Sequence, residues 1–299
     1  GGGTGNYGQA IPLEGGLVMD LTSCKKVDWI ADGLIRVQTG MKIGELEDTV
    51  REQGWELRCL PSTYKAACIG GLFAGGFGGV GSINFGPISA PGTVQSIRVM
   101  TIEEEPVINE LRGKDLLTFH HTYGTNGIIL DMELALAPAQ SWDEYMLAFN
   151  SIEDAHGFCR TMFDSVGIAK RELGLYNPAA AAYFSDVPSD LKAGEFMVVS
   201  LVAEQSKTPM LDLLAEYNGR VAWTQSFEEM TQSGLTMMEH CWNHATLHAL
   251  KHDKSFTNLQ TNYDAENVLQ QLADLKAETG DEVEIHLEYI RLANGQLLI

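Results

Sequence analysis

The chain has 299 residues, with 40 acidic and 20 basic side chains and a formal net charge of −20. This length corresponds to about two domains, and so acidic a surface argues against binding to nucleic acid or to anionic membranes. No apolar run approaches the roughly 18 residues that span a bilayer, so we predict a soluble protein with no membrane span.

Glycine is distributed unevenly along the chain. Of 31 glycines, seven fall in residues 1–16 and eight in residues 70–86, and glycine is sparse after residue 140. This shift predicts a boundary after Pro138, with one domain over residues 1–138 and a second over residues 139–299.

Hydrophobic patterning predicts strands and helices in both domains. In the first domain we expect strands at 17–21, 34–38 and 97–102, a helix over 43–53, and a long strand from Ile128, where apolar residues alternate. In the second domain, Ser151 followed by Asp154 predicts a capped helix to about Phe163. Further strands are expected at 196–203, 221–225 and 283–289, and helices near 209–217, 235–251 and 266–277. The order of elements predicts an α+β fold.

Two segments, 3–8 and 76–81, satisfy the G-x-G-x-x-G pattern of dinucleotide-binding loops. The first lacks the preceding strand and the following helix that a Rossmann site requires, so that interpretation is rejected. Consecutive glycines still allow positive φ angles and let several backbone amides converge on an anion. The pattern therefore favours a diphosphate site, although a turn without a ligand is the alternative.

Three segments carry a family resemblance when they are taken together. They are Gly-Gly-Gly-Thr-Gly-Asn-Tyr-Gly at residues 1–8, Pro-Ser-Thr-Tyr-Lys-Ala-Ala-Cys-Ile-Gly-Gly at 61–71 with its continuation to Gly86, and Tyr-Gly-Thr-Asn-Gly-Ile-Ile at 123–129. In order and spacing they resemble the flavin-binding segments of the FAD-linked oxidase family, of the vanillyl-alcohol oxidase and para-cresol methylhydroxylase type. The resemblance covers about residues 1–138.

The resemblance implies a PCMH-type FAD-binding subdomain followed by an α+β cap or substrate domain with an antiparallel sheet. The family has a further subdomain before the diphosphate loop, and this chain opens without Met and closes on Leu297-Leu298-Ile299, so we expect missing neighbours at both ends. No histidine stands in the region where the family commonly attaches flavin covalently, so we expect FAD to be bound non-covalently. The residues that the resemblance places on FAD are Gly1, Gly2, Gly3, Thr4, Gly5, Asn6, Gly70, Gly71, Gly75, Gly76, Gly78, Gly81, Gly124, Gly127, Ile128 and Ile129.

Histidines recur every four residues near the middle of the second domain. On a continuous helix, His240, His244, His248 and His252 would form one stripe, with Trp242, Leu247 and Leu250 forming the packing face. The stripe is open to two interpretations, a solvated or packing surface and a functional one. Two histidines at this spacing can chelate a metal or an anion, but the chain lacks the His-Glu-x-x-His pattern, and we assign no metal site.

The region from Trp242 to Lys251 resembles the cap-domain helix that contacts the substrate carboxylate in lactate- and glycolate-type relatives. The resemblance implies that His244, His248 and Lys251 act on the substrate. Those relatives commonly carry arginine where this chain has His244, and a histidine-rich metal motif nearer the C-terminus that is absent here.

Other polar and aromatic residues were weighed as candidates with weaker support. His120 and His121 precede the third flavin segment and could contact the cofactor, or could simply end a helix. Tyr64 and Tyr123 are candidate aromatic walls. His286 alternates with apolar neighbours on a strand, which favours a structural histidine.

The sequence therefore predicts an FAD-dependent oxidoreductase that oxidises a hydroxyl-bearing small molecule, either a 2-hydroxy acid or an alcohol, by hydride transfer to flavin. The electron acceptor is unknown. The alternative is a non-catalytic scaffold or assembly subunit with a degenerate FAD fold. Five widely spaced cysteines without a Cys-x-x-Cys pair favour reduced thiols and a cytoplasmic location.

Overall fold

The computed structural model describes residues 1–5 and 8–299. Contacts divide the chain into two compact units, one comprising Gly1–Gly81 and Phe85–Ala139 and the other comprising Ser82–Asn84 and Gln140–Ile299. Both units combine helices with antiparallel sheets, so the predicted α+β class is confirmed. No helix in the described residues is long and apolar enough to cross a membrane.

The first unit is built on an antiparallel sheet of six strands in the order β1-β2-β6-β4-β5, with β3 also paired to β6. The elements of this part of the chain are β1 (Val27–Ala31), β2 (Leu34–Gln38), α1 (Ile43–Arg51), β3 (Trp55–Leu57), α2 (Ile69–Gly75), α3 (Ser82–Phe85), β4 (Val94–Met100), β5 (Ile108–Arg112) and β6 (Ile128–Pro138). A 3-10 helix, Gly113–Thr118, lies between β5 and β6.

The two faces of this sheet differ in chemistry. Ile35 of β2 pairs with Leu134 of β6, and both are fully buried, as are the apolar positions of α1. Neighbouring positions, such as Arg36 opposite Glu133, point to the other face, because side chains alternate along a strand. The predicted strand 34–38 and the helix beginning at residue 43 are confirmed.

The predicted strand at residues 17–21 is wrong. This stretch forms no ladder with another strand in the described part of the chain. Its apolar side chains remain exposed, with Leu17 88% and Val18 65% accessible. Apolar β-formers alone did not suffice here, because a strand also needs a neighbour for its backbone groups.

The second unit contains an antiparallel five-stranded sheet in the order β10-β7-β9-β8-β11. Its elements are β7 (Trp142–Phe149), α4 (Ile152–Asp164), β8 (Lys170–Tyr176), α5 (Pro178–Ala181), β9 (Phe196–Ala203), α6 (Lys207–Glu216), β10 (Arg220–Gln225), α7 (Phe227–Ser233), α8 (Asn243–His252), α9 (Val268–Thr279), β11 (His286–Glu288), β12 (Ile290–Arg291) and β13 (Leu297–Leu298). Helix α4 begins as predicted, since Ser151 Oγ accepts a hydrogen bond from the Asp154 amide at 3.1 Å.

One face of this sheet packs on helices, and the other holds polar groups. Leu173 and Leu175 of β8 and Leu287 of β11 join the apolar core with α4. Because alternate residues face opposite ways, Glu172 and Tyr176 of β8 share the other face with His286 and Glu288 of β11. In register, His286 lies beside Tyr176 and Glu288 beside Gly174.

The continuous helix predicted over residues 235–251 is also wrong. A 3-10 helix, Met237–Glu239, comes first, and α8 begins only at Asn243. Between them Trp242 has φ 52° and ψ −136°, which are not helical and interrupt the helix. Consequently His240 lies outside the helix that carries His244, His248 and His252. The strand predicted at 283–289 is shorter, since β11 covers only His286–Glu288.

Candidate functional site

The N-terminal glycine segment lies against the start of α2. An added Cβ at Gly1 would stand 3.8 Å from the Cα of Gly71, and one at Gly2 would collide with the carbonyl oxygen of Ala66. The amide of Gly2 donates a hydrogen bond to the thiol of Cys68, opposing the rise in the Cys68 pKa that burial causes. The first two predicted flavin segments are therefore neighbours in the first unit.

Thr39 contacts both the start of α2 and the third predicted flavin segment. A Cβ at Gly70 would collide with the side chain of Thr39. The buried Thr39 hydroxyl donates to the carbonyl of Ile129 at 2.7 Å, at the start of β6. Thr39 therefore joins the α2 glycines to the 124–129 segment, although no sequence motif includes it.

The C-terminal end of α2 also contacts the residues that lead into the third predicted flavin segment. The Tyr123 amide donates to the carbonyl of Ala74 at 2.9 Å, and the His121 amide donates to that of Phe73 at 3.3 Å. His121 and Tyr123 both have positive φ angles, 56° and 54°. Such left-handed conformations are uncommon outside glycine and tend to occur at functional sites.

The predicted glycines fall into two groups according to what surrounds them. Gly70, Gly76 and Gly81 are required for packing, because a Cβ at each would collide with Thr39, His121 or the Arg58 carbonyl respectively. A Cβ at Gly75 would come within 2.7 Å of the Phe77 ring, and one at Gly127 within 2.9 Å of the Met100 carbonyl oxygen.

The open glycines are the second group. Gly3, Gly71 and Gly124 are exposed and have no atom within 4 Å of an added Cβ. Gly3 and Gly124 have φ angles of 67° and 79°, which glycine adopts without strain. Their bare backbones leave room for a diphosphate to approach the amides, so this part of the first unit fits the predicted cofactor.

The remaining predicted flavin residues are distributed as follows. Asn6 lies outside the described residues. Thr4 is half-buried, Gly5 is exposed beside the Gln9 side chain, Gly78 is half-buried, and Ile128 is the half-buried first residue of β6.

His120 and His121 take different positions beside α2. His120 packs its ring edge against Phe73 at 5.3 Å, and its Nε2 has no hydrogen-bond partner among the described residues. Burial, followed by the nearby His121, lowers the His120 pKa. His121 Nε2 lies 2.8 Å from the hydroxyl of Tyr123. The pair follows the end of the 3-10 helix Gly113–Thr118 and also lies beside α2, next to the predicted flavin segments.

The polar face of the second sheet holds two buried carboxyl groups that bind no arginine or lysine among the described residues. Trp242 donates its indole N–H to Glu172 Oε2 at 3.0 Å and its amide to Glu288 Oε1 at 2.7 Å. Burial raises the pKa of Glu172 well above its ordinary value, and the adjacent Glu288 raises it further. Burial also raises the Glu288 pKa to about 7. We call Glu172 and Glu288 the glutamate pair.

His286 and Tyr176 stand next to the glutamate pair. Their rings stack at 4.1 Å, and Tyr176 donates its hydroxyl to the carbonyl of His240 at 3.0 Å. His286 Nε2 lies 2.8 Å from Glu288 Oε1, but its N–H does not point at that oxygen, so the contact is electrostatic. Both His286 Nε2 and Glu288 Oε2 are buried without a hydrogen-bond partner in the described part of the chain. Such orphaned atoms are typical of a site that receives another molecule or a proton.

The predicted substrate residues of α8 occupy unequal environments. His248 is only 5% exposed, and its Nε2 lies 3.2 Å from the carbonyl of Glu239, while Lys251 Nζ lies 3.3 Å from its Nδ1. Burial, followed by His240 and Lys251, lowers the His248 pKa to about 4. His244 is half-buried in the first turn, and Lys251 is exposed.

The predicted packing face of this helix needs correction. Leu247 is 42% exposed, whereas His248 is buried. The break at Trp242 rotates the helix relative to the continuous one that the periodicity predicts. The four histidines therefore form no single stripe, and the stacked pair is His240 with His248, whose ring centroids are 4.5 Å apart.

Sequence reasoning missed the glutamate pair and undervalued His286. The period-two pattern of residues 170–176 places Glu172 and Tyr176 on one face, and that of residues 284–288 does the same for His286 and Glu288. What it could not provide was the pairing of β8 with β11, two strands that are far apart in the sequence.

Comparisons with known proteins agree with this architecture. A family model described as "FAD binding domain" matches residues 1–108. Two solved structures of alkyldihydroxyacetonephosphate synthase, in space groups P1 and P2₁2₁2₁, each have a TM-score of 0.73 and are 17% and 16% identical. They cover 100% of this chain, which spans 64% and 61% of theirs. At this identity the likeness concerns the fold. No curated protein sequence matches the chain.

Proposed function

From the match of residues 1–108 to the FAD-binding domain model, we propose that the protein is an FAD-dependent oxidoreductase acting on hydroxyl-bearing small molecules. FAD is the cofactor of this domain, and the PCMH-type fold expected from the sequence is confirmed. The proposed reaction oxidises a 2-hydroxy acid or an alcohol and passes electrons to an acceptor yet to be identified. A cytoplasmic location, supported by five free cysteines among the described residues, is part of the proposal.

When bound, FAD supplies a hydride acceptor. In the proposal, the amides of the 1–5 segment hold the diphosphate, and the open backbones of Gly71 and Gly124 lie along the cofactor. Gly70, Gly76 and Gly81 support these segments from behind by permitting close packing. Binding is non-covalent in this proposal.

Oxidation of a hydroxyl also requires a group that takes its proton. The observation that carries the proposal is the glutamate pair, in which Glu288 has a pKa of about 7, lies against Glu172, and receives no N–H donor at Oε2 among the described residues. A proton acceptor works best when its pKa lies near the working pH. We assign this role to Glu288, with Glu172 and Trp242 holding its carboxyl group in place.

His244, His248 and Lys251 remain the proposed substrate residues of α8. Both ring nitrogens of His248 are engaged, by the Glu239 carbonyl and by Lys251. This arrangement favours a positioning role for His248 and leaves His244 as the candidate for direct substrate contact.

The first test is the absorption spectrum of the purified full-length protein, followed by anaerobic addition of 2-hydroxy acids and alcohols. We expect flavin bands that bleach with a subset of these compounds. Glu288→Gln should lower the rate of bleaching by roughly 100-fold or more without changing flavin content. Glu282→Gln, at an exposed position nearby in the sequence, is the matched control.

Two results would count against the proposal. Flavin that no hydroxyl compound reduces would favour the scaffold alternative, or a reaction without net oxidation. A Glu288→Gln protein with unchanged turnover would remove Glu288 as the base, and a large loss in His244→Ala would then assign that role to His244.

A further inference from the structure

Three side chains from separate parts of the second unit meet beside α8. Asp186 follows α5, His240 ends the 3-10 helix Met237–Glu239, and His248 lies in α8. One ligand atom from each lies within 4.8 Å of the other two. We propose that Asp186, His240 and His248 form a binding site for a divalent transition-metal ion of the zinc and cobalt class.

The hydrogen bond of His240 fixes which nitrogen is available. Its Nδ1 lies 3.0 Å from the carbonyl of Thr236, and a carbonyl oxygen can only accept, so Nδ1 carries the proton. Its Nε2 then faces Asp186 Oδ1 at 3.1 Å. A lone pair and a carboxylate at that distance need a cation between them, either a proton or a metal. A ligand histidine whose other nitrogen donates to a backbone carbonyl is the usual arrangement in metal sites.

His248 also donates from one ring nitrogen to a backbone carbonyl, which leaves Nδ1 as its ligand atom, but Lys251 contacts that nitrogen. Its Nε2 lies 3.2 Å from the carbonyl of Glu239, and its ring stacks on that of His240. Phe184 packs its ring edge against both histidines, at 5.4 and 5.2 Å, and provides an apolar wall. Lys251, 3.3 Å from His248 Nδ1, places an ammonium group where it competes with a metal.

The donor set determines the class of ion. Two imidazole nitrogens and one carboxylate oxygen suit zinc and cobalt, whereas calcium and magnesium prefer oxygen ligands alone. Bonds of about 2.1 Å place the ligand atoms of a tetrahedral site about 3.4 Å apart. The three groups must therefore close slightly, which the 48% exposed side chain of Asp186 permits. Three protein ligands leave the remaining position for water.

The inference departs from the sequence expectation that no metal site is present. The four-residue spacing of the histidines in the sequence suggests chelating pairs such as His244 with His248. The break at Trp242 instead brings together His240 and His248, which lie eight residues apart, and adds Asp186, which no spacing rule connects to them.

The test uses the full-length protein, produced without a histidine tag and freed of metal with a chelator. Co²⁺ is titrated while its visible absorption is recorded, and Zn²⁺ binding is measured by calorimetry and elemental analysis. We expect one ion per chain. His240→Gln, His248→Gln and Asp186→Asn should each weaken binding at least tenfold.

Two further variants separate a metal site from a structural histidine pair. Lys251→Met removes the competing ammonium and should tighten binding, because it takes a positive charge away from the ion. His252→Gln, at the exposed end of α8, should leave binding unchanged. If His240→Gln fails to fold, the surface variant Asp186→Asn still decides the question, with circular dichroism as the folding check.

Absence of Co²⁺ and Zn²⁺ binding to the wild-type protein at micromolar concentrations would overturn the inference. So would binding that persists in both Asp186→Asn and His240→Gln. These measurements need no flavin and no turnover, so they stand or fall independently of the proposed oxidoreductase activity.

Discussion

Each of the two sheets of this protein carries carboxyl groups on its polar face, but the groups that bind those carboxyls differ between the sheets. In the first unit, Asp131 of β6 receives Arg36 Nε at 2.8 Å and Arg98 Nε at 2.7 Å. In the second unit, Glu172 and Glu288 meet each other and neutral N–H donors, with no arginine or lysine beside them among the described groups. In the first arrangement two guanidinium groups bind the carboxyl group and give it a structural role, and the second favours a proton that can be exchanged.

The comparison favours different roles for the two units, in which the first unit binds the cofactor and the second supplies the group that accepts the proton. The largest expected effect tests the role of the first unit in binding the cofactor. Gly3→Val should abolish flavin retention in the full-length protein, because Gly3 has φ 67° and its Cβ would block the approach of the diphosphate. Flavin absorbance per chain after gel filtration is the measurement.

Gly54→Val is the control for that experiment. Gly54 also has a positive φ, 80°, and no atom within 4 Å of an added Cβ, but it lies in the turn before β3. It should cost similar stability and leave flavin content unchanged. Full flavin occupancy in Gly3→Val would reject the diphosphate assignment.

The second prediction contrasts the same chemical change in the two sheets. Asp131→Asn would turn an amide N–H towards a guanidinium donor, leaving Arg36 and Arg98 incompletely paired, and should destabilise the first unit by about 3 kcal/mol. Glu288→Gln keeps an oxygen for the Trp242 amide and offers an N–H to Glu172, so at pH 7.5 it should stabilise the second unit.

Urea unfolding of the two variants beside wild type measures this contrast. Destabilisation of similar size in both would show that the glutamate pair has a structural role, like Asp131 of the first sheet. The proposed role of the second unit in accepting the proton would then lose its physical basis.

The third prediction concerns how the stability of Glu288→Gln, relative to wild type, depends on pH. The folded pKa of Glu288, about 7, lies above its ordinary value of 4.5, so the folded state binds more protons than the unfolded state between these values. Stability of the wild type therefore contains a contribution that is present below about pH 4.5 and is lost as pH rises to about 7. The advantage of Glu288→Gln should grow across this window to on the order of 3 kcal/mol.

His286 titrates in the opposite direction, because burial lowers its pKa to about 4. Because His286 Nε2 lies 2.8 Å from Glu288 Oε1, the Glu288→Gln change is also compared in a His286→Gln background, where the remaining pH dependence isolates Glu288. A difference that is constant from pH 4.5 to 7.5 would contradict the raised pKa.

How much of this could be predicted depends on how local the determinants are. Strand β9 was predicted to the residue, because its apolar run 196–203 is bounded by polar turns, and α4 was predicted from its Ser151 cap. The three predicted flavin segments stand out in the sequence because their glycines are consecutive, and their assignment to FAD stays a prediction. Determinants of this kind lie within a few residues of one another.

The failures have non-local causes. The break in the helix at Trp242, with a positive φ in a bulky residue, has no sequence pattern, and it moved His240 off the helix. The glutamate pair depends on β8 lying beside β11, and Thr39 joins the flavin segments from a position that no motif marks. Sequence periodicity predicts which face a side chain takes, but not which strand will lie next to it.

The smallest expected effect separates the two groups of glycines within α2. Gly71→Ala adds a methyl group to an open helix position, where alanine is favoured by about 1 kcal/mol, so the flavin-free protein should become slightly more stable. The same methyl group lies on the face assigned to the cofactor, so FAD affinity should fall. Gly70→Ala, one residue earlier, collides with Thr39 and should lose about 1–3 kcal/mol of stability. Thermal unfolding with and without FAD distinguishes these outcomes, and a Gly71→Ala protein that gains stability while binding FAD as tightly as wild type would remove that face of α2 from the cofactor site.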